Sequence, residues 1–220
     1  MNSLVAKFEK DVTLFEQYSK VIQDYLDKGF VEYVDLDDKS GCFLPHHPVF
    51  KESATTPLRV VFNASSRPAS GGRSLNDCLY TGPSLTLRLH DTLLRFRQNP
   101  FVVISDISKA FHRILIHPEH RRYTKFLYVD TERRRLCLQF KVVIFGASSS
   151  PYLLQQVLDT HLSSPQLPIC DLASQFYVDD FFKTYNDEED AIREKPIIDD
   201  IMKDASMPLQ AWISNSSKFN

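Results

Sequence analysis

No stretch of this 220-residue chain is apolar for long enough to cross a bilayer, and its first residues lack the basic and apolar pattern of a secretory signal. The two absences predict a soluble, cytoplasmic protein with no membrane association. The four cysteines, Cys42, Cys78, Cys137 and Cys170, stand far apart and form no metal-ligand pairs. Reduced thiols are therefore expected rather than a disulfide framework or a zinc site. Neither charge sign dominates: the net charge is −2, so no overall basic character marks nucleic acid as a partner. Internal repeats and low-complexity linkers are also missing.

What is present is an ordinary folding composition, 43% hydrophobic and 25% charged, sufficient for a full core in one compact unit or two lobes. The charges are unevenly placed. Arg88, Arg95, Arg97, Arg113, Arg121, Arg122, Lys125 and Arg133 to Arg135 make a basic middle, whereas acids gather at Asp187 to Asp190 and at Asp199-Asp200. Such a distribution is compatible with a phosphate-lined groove, and equally with a solvated surface.

Phe15, Tyr18, Ile22, Tyr25 and Leu26 fall on one helical face, with Gly29 placed to end the helix. Pro48 to Lys51 and Leu58 to Phe62 read as a hairpin carrying Lys51 and Arg59, followed by a polar loop from Ala64 to Asp77. Helical spacing runs from Pro83 through Leu85, Leu89, Leu93 and Phe96 to Asn99-Pro100. A short basic helix is expected after Pro118, then strands over Thr124 to Val129 and Leu136 to Val143. In the second of these, Leu136, Leu138, Phe140 and Val142 alternate with Cys137, Gln139 and Lys141, which predicts one buried face. The small-residue run Gly146 to Pro151 opens a helix with Leu154, Val157, Leu158 and Leu162 on its apolar side. His46-His47 lacks a third ligand at metal spacing, so a structural role is expected there.

The chemistry centres on Tyr177-Val178-Asp179-Asp180. A strand-like run from Ala173 to Val178 and the aromatic pair Phe181-Phe182 flank the two acids, placing them at a hairpin tip. Paired aspartates in a turn are common turn chemistry. A third acid, Asp106, ends the apolar strand Phe101 to Ile104, so two strand ends can deliver three carboxylates to one spot. Like charges about 4 Å apart cost on the order of 4 kcal/mol at an effective dielectric of about 20, so a cation is expected between them. Hard oxygen donors suit Mg²⁺, and a pair of such ions serves in-line phosphoryl displacement. Nucleotidyl transfer is the expected reaction.

The order of these segments resembles a reverse transcriptase, specifically that of BEL/Pao-type LTR retrotransposons, where it would be a fragment of a Pol polyprotein. The matching residues are Leu44 to Val49, Leu58 to Ser65, Ser74-Leu75-Asn76-Asp77, Gly82-Pro83, Asp106 to Phe111, Phe145 to Pro151 and Tyr177 to Asp180. The resemblance implies an α+β fold, a palm-and-fingers right-hand polymerase with an antiparallel palm sheet flanked by helices. It implies a single domain over residues 1–220, with fingers at about 1–82 and 118–145 and palm at about 83–117 and 146–213. Thumb, RNase H, protease and integrase are expected to be absent, and no Asp-Thr-Gly or Asp-Ser-Gly protease motif occurs.

The function implied is RNA-directed DNA polymerase activity on an RNA or DNA template with primer, using deoxynucleoside triphosphates and two Mg²⁺ ions, with Mn²⁺ as an alternative. Asp106, Asp179 and Asp180 would be catalytic and metal-binding, with the Ile107 carbonyl beside them. Lys51, Arg59, Phe111, Phe145 and Gly146 would bind the nucleotide, Phe111 as a gate against the ribose 2′-hydroxyl. Plain core packing is the other reading of Phe111. Tyr177, Val178, Ser150 and Pro151 would face primer and template. Asn63 departs from an aspartate common in the family, and Pro196 is expected to break a helix that normally continues. The alternative function is a catalytically inactive retrotransposon remnant that binds nucleic acid or protein.

Overall fold

The computed structural model describes residues 2–50, 58–69, 71–85 and 88–220. In chain order these form helices α1 (Asn2–Lys10) and α2 (Val12–Asp27), then strands β1 (Val31–Val34), β2 (His46–Phe50) and β3 (Leu58–Phe62). Short helices α3 (Leu75–Cys78) and α4 (Leu89–Arg95) precede β4 (Phe101–Ile107), α5 (Pro118–Arg121), β5 (Lys125–Val129) and β6 (Arg135–Phe140). Helix α6 (Ser150–Leu162), strands β7 (Phe176–Tyr177) and β8 (Asp180–Tyr185), helix α7 (Glu188–Asp204) and strand β9 (Leu209–Ser214) follow. All pairings among these strands are antiparallel. Two compact units result, Met1–Tyr80 with Ile114–Ser150, and Thr81–Arg113 with Pro151–Asn220. No helix among the described residues is long and apolar enough to cross a membrane.

In the first unit, α2 begins where the Asp11 side chain accepts the Leu14 amide at 2.9 Å. It ends at Gly29, whose φ of +68° lets the Phe30 amide reach back to the Tyr25 carbonyl at 2.9 Å. The helix packs its Tyr18 and Ile22 side into a core shared with the β2-β3 hairpin and the β1-β6-β5 sheet. Phe62 meets Phe126 and Phe140 edge-on, with centroids 4.9 and 4.8 Å apart. Leu138, Phe140 and Val142 are buried as the alternation predicts, but Cys137 on the opposite face is buried too. That face is closed by the Asp35–Ser40 loop, which Lys125 grips through the Asp38 and Ser40 carbonyls and the Asp38 carboxylate.

His46 has the structural role expected of it. The Leu127 carbonyl can only accept, so the His46 Nε2–H donates to it at 2.8 Å, leaving Nδ1 to accept from the Tyr18 hydroxyl at 2.5 Å. Burial holds the ring neutral and pushes its pKa down to about 4.

The second unit is a four-stranded sheet in the order β7-β8-β4-β9. On one face, Val103 and Ile107 of β4 and Phe181 of β8 are buried, and α7 packs there through Glu194, which receives hydrogen bonds from Lys183 and Tyr185. Trp212 of β9 caps the same face, its ring against Phe181 and its indole N–H donating to Asp199 at 3.1 Å.

Several elements differ from the sequence reading. The loop after Ala64 ends at Ser74, not Asp77, because Ser74 and Asp77 form a reciprocal capping box that starts α3. The helix expected from Pro83 begins only at Leu89, and Leu89, Leu93 and Leu94 are exposed rather than packed. The strand expected over Ala173 to Val178 is a 3-10 turn, Leu172–Gln175, followed by two strand residues. Pro196 does not break α7, which runs on through it. Both Pro196 and Ile192, whose carbonyl loses its partner, lie on the exposed side, so water can satisfy that carbonyl while Ile198, Ile201 and Met202 stay buried.

Candidate active site

Strand periodicity sets out the acidic cluster. Val103, Ser105 and Ile107 alternate into the core of the second unit, so Asp106 points to the opposite face of β4. Its register partner on β8 is Asp180, the first residue after the hairpin tip. The tip itself is Val178-Asp179, a two-residue connection between Tyr177 and Asp180, which are paired. Val178 adopts a φ of +58°, a region that β-branched residues disfavour, as the first loop position of a tight hairpin requires. The tip is tied down by the Ile107 amide, which donates to the Asp179 carbonyl at 2.9 Å.

The charges register on one another. The Asp180 pKa is raised, first by burial of its carboxyl and then by the negative charges of Asp179 and Asp106. Three oxygen-donor side chains with that mutual repulsion make a set that suits a hard divalent cation. Among the described residues no three His, Cys, Asp or Glu side chains are already drawn together as a ligand cage.

One contributor was not legible in the sequence. Strand β9 carries a bulge: Ile213 pairs with Ile104, but Gln210, not Ala211, stands opposite Asp106. Ala211 takes the left-handed conformation, with φ at +55°, that accommodates the extra residue. Gln210 Nε2 thereby donates to the Asp106 carboxylate at 3.1 Å, while the Ser105 hydroxyl holds the Gln210 carbonyl at 2.6 Å. Glutamine before an aromatic strand gives no signal of such a role; the bulge creates it.

Of the other expected site residues, Tyr177, Val178 and Phe111 belong to the same unit as the three acids. Phe111 lies in the 3-10 turn Ala110–Arg113 that follows β4 and is 8% exposed. Arg59, Phe145, Gly146 and Ser150 belong to the first unit. Arg59 is exposed on β3, across from Val49. Phe145 is 50% exposed, and Gly146 turns the chain with φ at +90° close to the Phe62 carbonyl. Ser150 is 1% exposed and its hydroxyl donates to the Ile144 carbonyl at 2.7 Å, so of the pair Ser150-Pro151 only the proline faces outward. Lys51 lies outside the described residues.

The turn Asp130 to Arg134 shows how a basic run can be absorbed locally. Arg133 stacks on Phe15 at 4.8 Å from the ring centre, and Arg134 pairs with Asp130 at 2.8 Å.

Among solved structures, the chain is similar to a foamy viral protease-reverse transcriptase in complex with double-stranded DNA. The TM-score is 0.68 at 17% identity, covering 89% of this chain and 30% of that one. It is also similar to the native prototype foamy virus protease-reverse transcriptase, with a TM-score of 0.64 at 19% identity, covering 84% of this chain and 22% of that one. A selenomethionine-labelled CSH mutant of that protein gives 0.68 at 18% identity, with coverages of 90% and 23%. The chain spans less than a third of the length of each, and what is shared at these identities is the fold, helices with antiparallel sheets as in reverse transcriptases. No curated protein sequence matches it. The model of the family described as "Reverse transcriptase (RNA-dependent DNA polymerase)" matches residues 52–211, well over half of the chain, and the chain belongs to that family.

Proposed function

We propose that this chain is the fingers and palm of an RNA-directed DNA polymerase from a BEL/Pao-type retrotransposon, part of a Pol polyprotein. The unit Met1–Tyr80 with Ile114–Ser150 corresponds to the fingers and the unit Thr81–Arg113 with Pro151–Asn220 to the palm. The observation that carries the reading is the pairing of Asp106 with Asp180, with the Asp179 carbonyl tied to Ile107, in a chain of this family.

In this reading Asp106 and Asp179, with the Ile107 carbonyl, would hold Mg²⁺, and Asp180 adds negative potential beside them; Mn²⁺ could serve in its place. When bound, a pair of such ions lowers the pKa of an attacking hydroxyl and stabilises a leaving oxygen. The chain's own residues position the reactants. Tyr177 and Val178 seat the primer end so that its 3′-hydroxyl lies in line with the α-phosphate of the incoming deoxynucleoside triphosphate. A P–O bond forms there as pyrophosphate leaves. Arg59 and Lys51 hold the triphosphate, Phe145 and Gly146 support the nucleotide, and the Phe111 ring stands where a 2′-hydroxyl would go. Pro151 lines the template side. Sequence is read by base pairing, so protein contacts fall on backbone and sugar.

The direct test is extension of a labelled primer on an RNA template with deoxynucleotides and Mg²⁺. Incorporation by the parent chain that disappears in Asp179→Asn supports the assignment. Binding of primer-template without incorporation, unchanged by Asp179→Asn, would instead indicate a non-catalytic binding module.

A further inference from the structure

We infer that Asn76 is a positioning residue for nucleotide selection, acting by clamping the Phe145–Ser148 loop to a fixed helical pedestal; the nucleotide part of this inference rests on the polymerase reading above. Asn76 lies in α3, away from the three acids in sequence and in the other unit of the fold. Its side-chain amide is used from both ends. Nδ2 donates to the Gly146 carbonyl at 2.9 Å and to the Ser65 hydroxyl at 2.8 Å, while Oδ1 accepts the Ser148 amide at 2.8 Å. A carbonyl can only accept and a peptide N–H can only donate, so these partners fix which way the amide points. Its backbone amide adds a bond to the Ala64 carbonyl at 3.0 Å. One residue thus joins three chain segments.

The pedestal is itself held. Ser74 and Asp77 cap each other, Arg67 grips Asp77 with bonds of 3.0 and 3.3 Å, and Leu75 is anchored in the core. The loop's far side is pinned as well, by the Ser150 hydroxyl on the Ile144 carbonyl and the Ser150 amide on the Ala147 carbonyl. Between these anchors the chain turns at Gly146 and presents the Phe145 ring outward. Asn76 engages the acceptor and the donor on either side of Ala147, a task that needs a short side chain with both polarities. Aspartate keeps the acceptor for Ser148 but loses both donors and sets a charge against the Gly146 carbonyl.

The test uses Asn76→Asp and Asn76→Ala with two readouts. Hydrogen exchange of the 145–149 amides should accelerate in both variants, while exchange in α2, β5 and β6 stays as in the parent. In single-nucleotide incorporation, KM for the deoxynucleotide should rise about tenfold or more, with kcat changed less than about threefold and primer-template affinity unchanged, the split expected when only binding geometry is lost. Unchanged exchange in Asn76→Ala overturns the clamp. Faster exchange with an unchanged KM, in a parent that extends primer, overturns the nucleotide role. A parent that incorporates nothing overturns the polymerase reading and the nucleotide role with it, and the exchange result still decides the clamp by itself.

Discussion

Gln210 donates its side-chain amide to the carboxylate of Asp106 across a bulge in the neighbouring strand. The contact orients one acid of a crowded cluster without adding charge. Gln210→Leu keeps the bulk and removes the donor; single-nucleotide incorporation is expected to fall about tenfold, in line with the loss of one hydrogen bond to a charged group. Gln210→Glu should fall further, because it sets a fourth carboxylate against Asp106. Circular dichroism of both variants should match the parent, which separates orientation from folding.

Val178 holds a left-handed conformation at the hairpin tip. Strain of this kind costs roughly 1–3 kcal/mol, and part of it is recovered by glycine. Val178→Gly should therefore raise the melting temperature, by about 2–4 °C if the net gain is about 1 kcal/mol. Incorporation should slow, since the tip that carries Asp179 becomes less constrained. A lower melting temperature would show that the side-chain contacts of Val178 outweigh its backbone strain.

Acid should weaken the fold in a defined window. His46 and His112 each have a folded-state pKa pushed from the usual 6.5 down to about 4, chiefly by burial and, for His112, also by the charges of Lys109 and Arg113. Between those values the unfolded chain binds more protons than the folded one. Stability is therefore complete above about pH 6.5 and declines toward pH 4, by at most about 3 kcal/mol per histidine. Urea unfolding at a series of pH values should show the decline, and His46→Gln should make it shallower.

Phe111 is buried in the turn after β4, a placement that serves either a gate or simple packing. Replacing it separates the two. Phe111→Ala should destabilise the fold by about 3–5 kcal/mol if the site cannot collapse. Phe111→Tyr keeps the ring and should preserve folding. In a gate, Phe111→Val raises ribonucleotide incorporation relative to deoxynucleotide by about tenfold or more; in simple packing the ratio stays constant while both rates fall.

The sequence made legible what depends on local pattern. Phe15, Tyr18 and Ile22 announce α2, Gly29 ends it, and the run from Phe101 to Asp106 forms the strand whose end carries the acid. The hairpin itself follows from the aromatic residues on either side, but its tip is Val178-Asp179, one residue earlier than the paired acids suggest, so that Asp180 already belongs to β8. What escaped depends on neighbours distant in the chain. The bulge that brings Gln210 to Asp106 needs β4 and β9 side by side, and the grip of Asn76 on the 146–148 loop joins residues some seventy positions apart. The Ser74 and Asp77 capping box was the exception, a local signal inside a stretch whose polar composition reads as loop. Pro196 misled because its cost is set by which face of α7 it occupies, and that face turns outward.

Single-turnover incorporation of one deoxynucleotide on an RNA template, compared among the parent, Asp106→Asn, Asp179→Asn and Asp180→Asn, probes the role of the three acids most directly. Asp106→Asn and Asp179→Asn should each slow the step by about a thousandfold or more, and Asp180→Asn by less, since it contributes charge beside the other two. Rates within about tenfold of the parent for both Asp106→Asn and Asp179→Asn, with primer-template still bound, would contradict the assignment of this cluster as the reaction centre.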